Sequence, residues 1–237
     1  MEKKYISLIV PTYNEAPNLR PLIEEILNVV DPACADIEFI IVDDNSPDGT
    51  GRVADELTHT YPVHVIHRTG KLGLGSAVIE GIKKSTRPYC GVMDADLSHD
   101  PIILNDMIRG LDEYDIVMGS RFAQGSAVEQ WAWYRKALSN TGVFFARLLT
   151  GVKDPLSGYF LFKREVVGDV SLSTVGYKIL LEILVKGTYN GVKEYPYTFR
   201  MRRFSASKLN TKEYLLFAKQ LIEYAWYKLV HPRRRAR

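Results

Sequence analysis

Residues 89–96 read Tyr-Cys-Gly-Val-Met-Asp-Ala-Asp, an apolar run that ends in two carboxylates separated by one small residue. The run predicts a buried strand, with Gly91–Met93 at its centre, and a turn directly after it. At such a turn Asp94 and Asp96 can reach one point beyond the strand. Carboxylate oxygens suit Mg²⁺ or Mn²⁺, which bind a few carboxylates together with phosphate oxygens and water. We therefore predict a metal site here; the alternative is that both aspartates cap the following helix.

The same alternation of apolar runs and amphipathic segments extends on both sides of this stretch. The other predicted strands are Tyr5–Val10, Glu38–Val42, Val63–Ile66 and Ile116–Met118. The predicted helices between them are Asn18–Val30, Gly51–Thr60, Ser76–Lys84 and Pro101–Leu111. Strands that alternate with helices of this length predict an α/β fold with a mostly parallel central sheet and helices on both faces. In such sheets ligands bind beyond the carboxyl ends of the strands.

Polar or glycine-rich segments follow every one of these strands. Besides Asp94 and Asp96, they are PTYNE at 11–15, DDNSPDG at 43–49, GKLGLG at 70–75 and GSR at 119–121. Asp44 is a candidate for binding ribose or a base, although its segment is also an ideal turn sequence. The glycines of 70–75 do not match the dinucleotide-binding order, so a plain tight turn is the alternative to phosphate binding, with Lys71 facing a nucleotide. We expect these segments to converge at one edge.

The second half of the chain has a less regular pattern. Helices are predicted at 134–149 and 176–186, a short strand at 161–163 and an edge strand at 195–201. A capping-box-like start at Asn210 predicts a final amphipathic helix that ends near Val230. We find no internal repeat or linker, which predicts one domain over 1–237. Within it, 1–121 would bind nucleotide and metal, 122–210 would bind the acceptor and close over the donor, and 211–237 would form the amphipathic helix and a basic tail.

Composition excludes several classes of function. The chain has 237 residues, 46% of them hydrophobic, and a net charge of +3, which is too small a basic excess to predict a nucleic-acid partner. Its two cysteines, Cys34 and Cys90, are predicted to be free thiols in a reducing compartment. The sequence predicts neither a secretory signal nor a membrane span, because Lys219, Glu223 and Lys228 interrupt the longest apolar segment.

Taken together, the motifs resemble the family-2 glycosyltransferases of GT-A (Rossmann-like) fold, and within them the dolichyl-phosphate mannose synthases. The resemblance continues through DPLSGYFLFKR at 154–164, GYKILLE at 176–182 and PYTFRMRRFSASKL at 196–209, so that it covers nearly the whole chain. It implies an enzyme that transfers mannose from GDP-mannose to dolichyl or polyprenyl phosphate in one inverting displacement, with Mg²⁺ or Mn²⁺ as cofactor.

The resemblance also implies roles for individual residues. Asp96, Arg121 and Arg135 would be catalytic, and Asp94 and Asp96 would hold the metal. The nucleotide sugar would be bound by Pro11, Tyr13, Glu15, Val42, Asp44, Asp94, Ala95, Lys178, Arg202 and Lys208, with Ser207 beside them. The acceptor phosphate would be bound by Arg121, Arg135 and Ser139.

Several of these basic residues have an alternative interpretation. Arg135 and Ser139 are four residues apart on one helix face, where a guanidinium and a hydroxyl can meet one phosphate, but an exposed arginine on a helix surface is equally ordinary. Arg202, Arg203 and Lys208 could form a basic flap or a solvated charge run. Two positions depart from the family. Ser98 stands where relatives often have glutamine, which leaves the third metal ligand open, and Ser205 replaces a glycine of the loop.

The final helix suggests how the chain meets a lipid acceptor. Its predicted apolar stripe contains Leu215, Phe217, Ala218, Leu221, Ile222, Ala225, Trp226 and Leu229, and a tail with four arginines follows it. Such a helix predicts peripheral binding to the cytoplasmic face of a membrane, or to a separate membrane subunit. Trp131, Trp133 and Tyr134 form a second candidate patch. The alternative for the helix is ordinary packing against the core.

The sequence leaves three alternative functions to consider, two of which it disfavours. The same scaffold could use glucose or another sugar on polyprenyl phosphate. A nucleotidyltransferase is disfavoured because the first strand ends in PTYNE rather than in a glycine-rich loop for a triphosphate. A non-catalytic nucleotide-binding subunit is disfavoured because the acidic and basic residues are all present.

Overall fold

The structure of the protein, a computed structural model, describes residues 2–128, 133–168, 170–173, 178–201 and 211–231. For residues 128, 133–141 and 211–215 it describes the backbone alone. The strands are β1 (Lys4–Thr12), β2 (Ala35–Asp43), β3 (Val63–His67), β4 (Tyr89–Val92), β5 (Ile116–Ser120), β6 (Ala127–Val128), β7 (Phe160–Lys163), β8 (Val192–Pro196) and β9 (Thr198–Phe199).

The helices alternate with these strands in the first half of the chain, and the helices of the second half pack against one another. They are α1 (Ala16–Val29), α2 (Thr50–Leu57), α3 (Leu74–Lys84), α4 (Leu104–Gly110), α5 (Trp133–Thr150), α6 (Ile179–Lys186) and α7 (Thr211–Val230), with 3-10 turns at Pro101–Ile103 and Arg164–Val167. The five strands and four helices predicted for the first half are all present, although the predicted helix 101–111 begins with a 3-10 turn.

The described strands form a seven-stranded sheet in the order β3-β2-β1-β4-β7-β5-β8 and a two-stranded sheet of β6 and β9. In the large sheet β7 runs antiparallel to both β4 and β5, and the other neighbouring pairs are parallel. The predicted α/β fold with a mostly parallel sheet is therefore confirmed.

Alternate residues of each strand point to opposite faces, so each face of the sheet has its own core. Phe39 and Ile41 of β2 pack with α1, α2 and α4 on one face. Ile40 and Val42 pack with α3 and α6 on the other. Since both faces are apolar, the central strands read as continuous hydrophobic runs, which is why their positions could be predicted.

The single edge strand predicted at Tyr195–Met201 is wrong. Instead, β8 begins at Val192 and ends the large sheet, and the chain then crosses at Tyr197 to β9, which pairs with β6. Pro196 has no N–H to donate, which favours an end to the ladder at this point. The two short strands of the second sheet carry too few residues for a periodic pattern, and this explains why they were not predicted.

The topology brings seven segments of the described chain to one edge of the large sheet. The carboxyl ends of the parallel strands β1, β2, β3, β4, β5 and β8 lie there. Because β7 is antiparallel, its amino end lies at the same edge, together with residues 154–159 that precede it. This edge is the candidate site.

Candidate functional site

The metal-binding turn predicted after β4 has a tightly constrained geometry. Asp96 is almost fully buried, and its Oδ1 accepts hydrogen bonds from the backbone N–H of Ser98 at 3.1 Å and from the Ser98 hydroxyl at 2.5 Å. Leu97 between them has φ = +61°, a left-handed conformation that a bulky residue rarely adopts. Strained residues of this kind cluster at functional sites, and the two hydrogen bonds from Ser98 hold the Asp96 carboxylate in place.

Asp94 is more exposed than Asp96 and has neighbours on two sides. Its Oδ2 lies 3.3 Å from Nε2 of His99. A β-carbon placed on Gly158 would lie 2.7 Å from the same oxygen, so the carboxylate passes directly over that glycine backbone. A larger residue at position 158 would displace the Asp94 carboxylate, so Gly158 belongs to the site.

Arg121 at the end of β5 is held by Asp154. The guanidinium donates from Nε at 2.8 Å and from Nη2 at 2.7 Å to the two carboxylate oxygens of Asp154, which is completely buried. Burial lowers the pKa of Arg121, but the ion pair with Asp154 outweighs this effect and raises the pKa above its ordinary value. The side chain is therefore a permanently charged cation in a fixed orientation.

Asp44 follows β2, as predicted, and is buried in an ion pair with Arg68. Its Oδ2 also accepts a hydrogen bond of 2.8 Å from the backbone N–H of Gly73, and Arg68 donates to the Ser76 hydroxyl at 2.7 Å. Gly73 has φ = +100°, which only glycine adopts readily. These contacts show that Asp44 anchors the 70–75 loop. They support the interpretation that the glycines of this loop form a plain tight turn.

Pro11 lies near the carboxyl end of β1, and Tyr13 and Glu15 follow the strand at the same edge. Tyr13 lies under Lys71, whose Nζ is 4.0 Å from the ring centroid, so the predicted nucleotide-facing lysine and tyrosine are brought together. Glu15 is buried and accepts a hydrogen bond of 2.6 Å from the Asn18 amide.

The remaining predicted site residues differ in what the structure says of them. Val42 and Ala95 are buried in the two cores, so only their backbones can meet a ligand. Lys178 directly precedes α6. Arg135 and Ser139 lie on α5, but their side chains are outside the described part of the chain. Arg202, Ser207 and Lys208 lie outside the described residues altogether. Their roles stay predictions.

Sequence reasoning missed three residues at this edge, namely Asp154, His99 and Tyr197. Ligand-binding residues were expected at the carboxyl ends of strands, whereas Asp154 precedes the antiparallel strand β7. The turn-like sequence Asp-Pro-Leu-Ser-Gly at 154–158, directly before an apolar strand, was the available signal. His99 and Tyr197 come from distant parts of the chain, and the hydrogen bond between them could not be predicted without the fold.

Comparison with known proteins identifies the family. The model of "Glycosyl transferase family 2" matches residues 7–171. A dolichol-phosphate mannosyltransferase from Pyrococcus furiosus is 42% identical over 92% of this chain, which spans 64% of that protein's length. A polyprenol monophosphomannose synthase from Mycolicibacterium smegmatis is 41% identical, over 86% of this chain and 80% of its own. A dolichol-phosphate mannosyltransferase from Saccharomyces cerevisiae is 35% identical, over 94% and 87%.

The fold has a counterpart among solved structures. Glucosyl-3-phosphoglycerate synthase from Mycobacterium tuberculosis, in a complex with Mn²⁺, UDP-glucose and phosphoglyceric acid, superposes with a TM-score of 0.67 at 17% identity, over 97% of this chain and 81% of that one. At this identity the likeness concerns the fold, and it agrees with the predicted GT-A type. From the family match and these relatives we conclude that the chain belongs to glycosyl transferase family 2 and is a glycosyltransferase.

Proposed function

We propose that this chain transfers mannose from GDP-mannose to dolichyl or polyprenyl phosphate, with inversion at the anomeric carbon. The observation that carries the proposal is the match, over most of the chain, to relatives named dolichol-phosphate mannosyltransferase or polyprenol monophosphomannose synthase. The site supports it, because one sheet edge combines two carboxylates on the turn after β4 with the fixed cation Arg121. The carboxylates would bind the cation that neutralises a nucleotide diphosphate, and Arg121 would bind the phosphate of the acceptor beside it.

The donor set on the turn after β4 fits Mg²⁺ or Mn²⁺. Among the described residues, no three of the types His, Cys, Asp and Glu form a cluster that could bind a metal unaided. Asp94 and Asp96 supply two carboxylates, and such ions bind through one or two carboxylates completed by substrate phosphates and water. Ser98 remains a candidate third ligand; in this structure its hydroxyl donates to Asp96. When bound, the cation would offset the negative charge on the diphosphate.

The proposed reaction is a single displacement. An acceptor phosphate oxygen, already anionic near neutral pH, attacks C1 of mannose as the C1–O bond to GDP breaks and GDP leaves with the bonding electrons. No general base is needed, so the work of the protein is positioning and charge stabilisation. Arg121 would hold the acceptor phosphate together with Arg135 and Ser139 of α5. Its pairing with Asp154 keeps it in place before either substrate binds.

The remaining basic and polar residues would bind the donor. Asp44, Tyr13 and Glu15 would bind the guanosine, together with the backbones of Pro11, Val42 and Ala95. Lys178, Arg202 and Lys208 would neutralise the diphosphate. These assignments rest on the resemblance of the motifs and on the shared position of the described residues at one edge.

A lipid acceptor requires contact with a membrane, and we propose that α7 provides it from the cytoplasmic side. No helix of the described part of the chain has the length and apolar character needed to cross a bilayer. One side of α7 packs on α5 and α6 through Phe217 and Tyr224. The opposite side exposes Ile222, Trp226 and Leu229, each more than two-thirds accessible. Helical spacing places these three on one outward stripe.

An exposed apolar stripe on a helix that is already packed on its other side indicates a further contact. We favour a bilayer with anionic headgroups, because the arginine-rich tail at 233–237 follows directly in the sequence. A separate membrane subunit is the alternative occupant. The second predicted patch, around Trp131, falls outside the described side chains.

A transfer assay tests the function. Purified protein, a short-chain polyprenyl phosphate and Mn²⁺ or Mg²⁺ are incubated with radiolabelled GDP-mannose, GDP-glucose or UDP-glucose. We expect label to enter the lipid phase from GDP-mannose alone, as a β-linked product by NMR, and to be lost with EDTA. Preferential transfer from a glucose donor would instead support the alternative polyprenyl-phosphate glucosyltransferase.

A further inference from the structure

His99 is a buried imidazole that lies between Asp94 and a phenol from another part of the chain. It is 3% exposed, its Nε2 lies 3.3 Å from Oδ2 of Asp94, and its Nδ1 lies 2.9 Å from the hydroxyl oxygen of Tyr197. A carboxylate can only accept, so Nε2 carries the hydrogen that it donates to Asp94. In the neutral ring Nδ1 is then an acceptor, and Tyr197 donates to it.

The plane of the imidazole is fixed by aromatic neighbours. Its centroid lies 5.3 Å from that of Tyr159, 5.7 Å from that of Tyr197 and 5.5 Å from that of Phe199. Rotation about the ring's side-chain bonds would break both hydrogen bonds and this packing. Nε2 is therefore a donor in a constant position.

The segment that carries Tyr197 is itself attached to the metal-binding turn. His99 and Phe199 form an antiparallel bridge, and the backbone N–H of Arg200 donates to the Ser98 carbonyl at 2.8 Å. The Arg200 guanidinium forms ion pairs of 2.6 Å with Glu25 and 2.8 Å with Asp100. These contacts fix the positions of the turn, β9 and α1 relative to one another.

We propose that His99, oriented by Tyr197, is a positioning residue that holds Asp94 toward the cation and diphosphate. The His99 donor and the Gly158 backbone both approach Oδ2 of Asp94, which would confine that oxygen and so keep Oδ1 in one direction. Outer hydrogen bonds of this kind set the affinity of a metal site without touching the ion. This inference rests on the proposed function, since it assumes that Asp94 binds the metal.

The chain offers a matched pair of variants for the test. Tyr197→Phe removes the hydroxyl that orients His99. Tyr159→Phe removes a hydroxyl from the same ring cluster that is buried and has no hydrogen-bond partner among the described residues. His99→Phe removes the donor to Asp94, and His99→Gln offers an amide donor in its place.

The measurement is Mn²⁺ binding followed by electron paramagnetic resonance in the presence of GDP, with thermal unfolding as a check on folding. We expect His99→Phe to weaken Mn²⁺ binding about 10-fold or more, His99→Gln to recover part of the loss, and Tyr197→Phe to weaken binding several-fold. Tyr159→Phe should bind as the wild type does. If His99→Phe fails to fold, the tyrosine pair decides.

Two results would overturn the inference in different ways. Equal Mn²⁺ affinity in Tyr197→Phe, Tyr159→Phe and folded His99 variants would refute the positioning role and leave the proposed transfer intact. A wild-type protein that binds GDP but takes up no Mn²⁺ would refute the metal part of the proposed function, and this inference with it.

Discussion

Asp154 illustrates how a fully buried residue can orient a side chain of the candidate site. It is wholly buried, and both of its oxygens bind the Arg121 guanidinium, while its own backbone N–H donates to Glu194 at 3.0 Å. In the proposed reaction two anions are held close together at the edge where Arg121 lies. A cation already fixed by a buried partner needs little rearrangement when they bind.

We predict that Asp154→Asn destabilises the protein by about 3 kcal/mol, because it leaves a buried guanidinium without a counter-charge. It should also raise the KM for polyprenyl phosphate more than that for GDP-mannose. Denaturant unfolding and steady-state kinetics measure the two effects. Asp106→Asn is the control, since Asp106 pairs with Arg109 at an exposed surface and should change stability by less than about 0.5 kcal/mol. Similar stability of the two variants would contradict the account.

At the scale of single elements, α7 has two apolar sides, of which one packs against the protein and the other faces solvent. Phe217 lies so close to α5 that a β-carbon on Gly142 would stand 2.8 Å from its ring, whereas Ile222, Trp226 and Leu229 face solvent. The predicted stripe therefore includes residues of both sides, because the sequence shows that a residue is apolar but not which neighbour covers it. Membrane contact and core packing, which were alternatives, are compatible on one helix.

We predict that the double substitution Ile222→Ser and Trp226→Ser lowers binding to anionic vesicles at least about 10-fold. The two substitutions remove apolar surface that α7 would bury in the bilayer. The unfolding temperature should not fall, because neither side chain is packed. Ile102→Ser, which removes an equally exposed isoleucine from the Pro101–Ile103 turn, is the control. Sedimentation with vesicles measures binding. If the control and the double variant lost vesicle binding equally, the stripe on α7 would not be a specific membrane-binding surface. If the double variant kept its vesicle binding, a separate membrane subunit would be the partner of this stripe.

For the molecule as a whole, the strands of the first half could be located from sequence because their apolar runs are continuous and end in turn chemistry. The same pattern led to Asp44, Asp94, Asp96 and Arg121, which the parallel topology does bring to one edge. The antiparallel strand β7 and the passage of the chain from β8 to β9 depend on tertiary pairing, so Asp154 and Tyr197 could not be placed. The division into binding halves at 121 and 210 stays a prediction.

Stability should depend on pH through the ion pair that joins β5 to β7. Asp115 lies 2.7 Å from Lys163 and accepts from the backbone N–H of Asn190 at 2.8 Å. Burial alone would raise the pKa of Asp115, but the hydrogen bonds from Asn190 and Lys163 lower it below its ordinary value. Its contribution is therefore complete above that value, about 3.8, and is lost as the pH falls through the lower pKa of the folded state.

We predict that Asp115→Asn is less stable than the wild type at pH 7 and that the difference shrinks below about pH 4. Urea unfolding at pH 7, 5 and 3.5 measures it. A difference that stays constant, or grows as the pH falls, would contradict the ion-pair interpretation.

In the proposed mechanism, the carboxylates after β4 support metal-dependent transfer of mannose to a polyprenyl phosphate. The most direct measurement is the transfer of label from GDP-mannose into the lipid phase by wild type, Asp96→Ala and Asp106→Ala in matched Mn²⁺ buffers. We expect Asp96→Ala to lose at least about 100-fold in kcat, since a group that stabilises the leaving diphosphate is removed, and Asp106→Ala to match the wild type. Near-native transfer by Asp96→Ala, or transfer by the wild type that survives removal of all divalent metal, would contradict the claim.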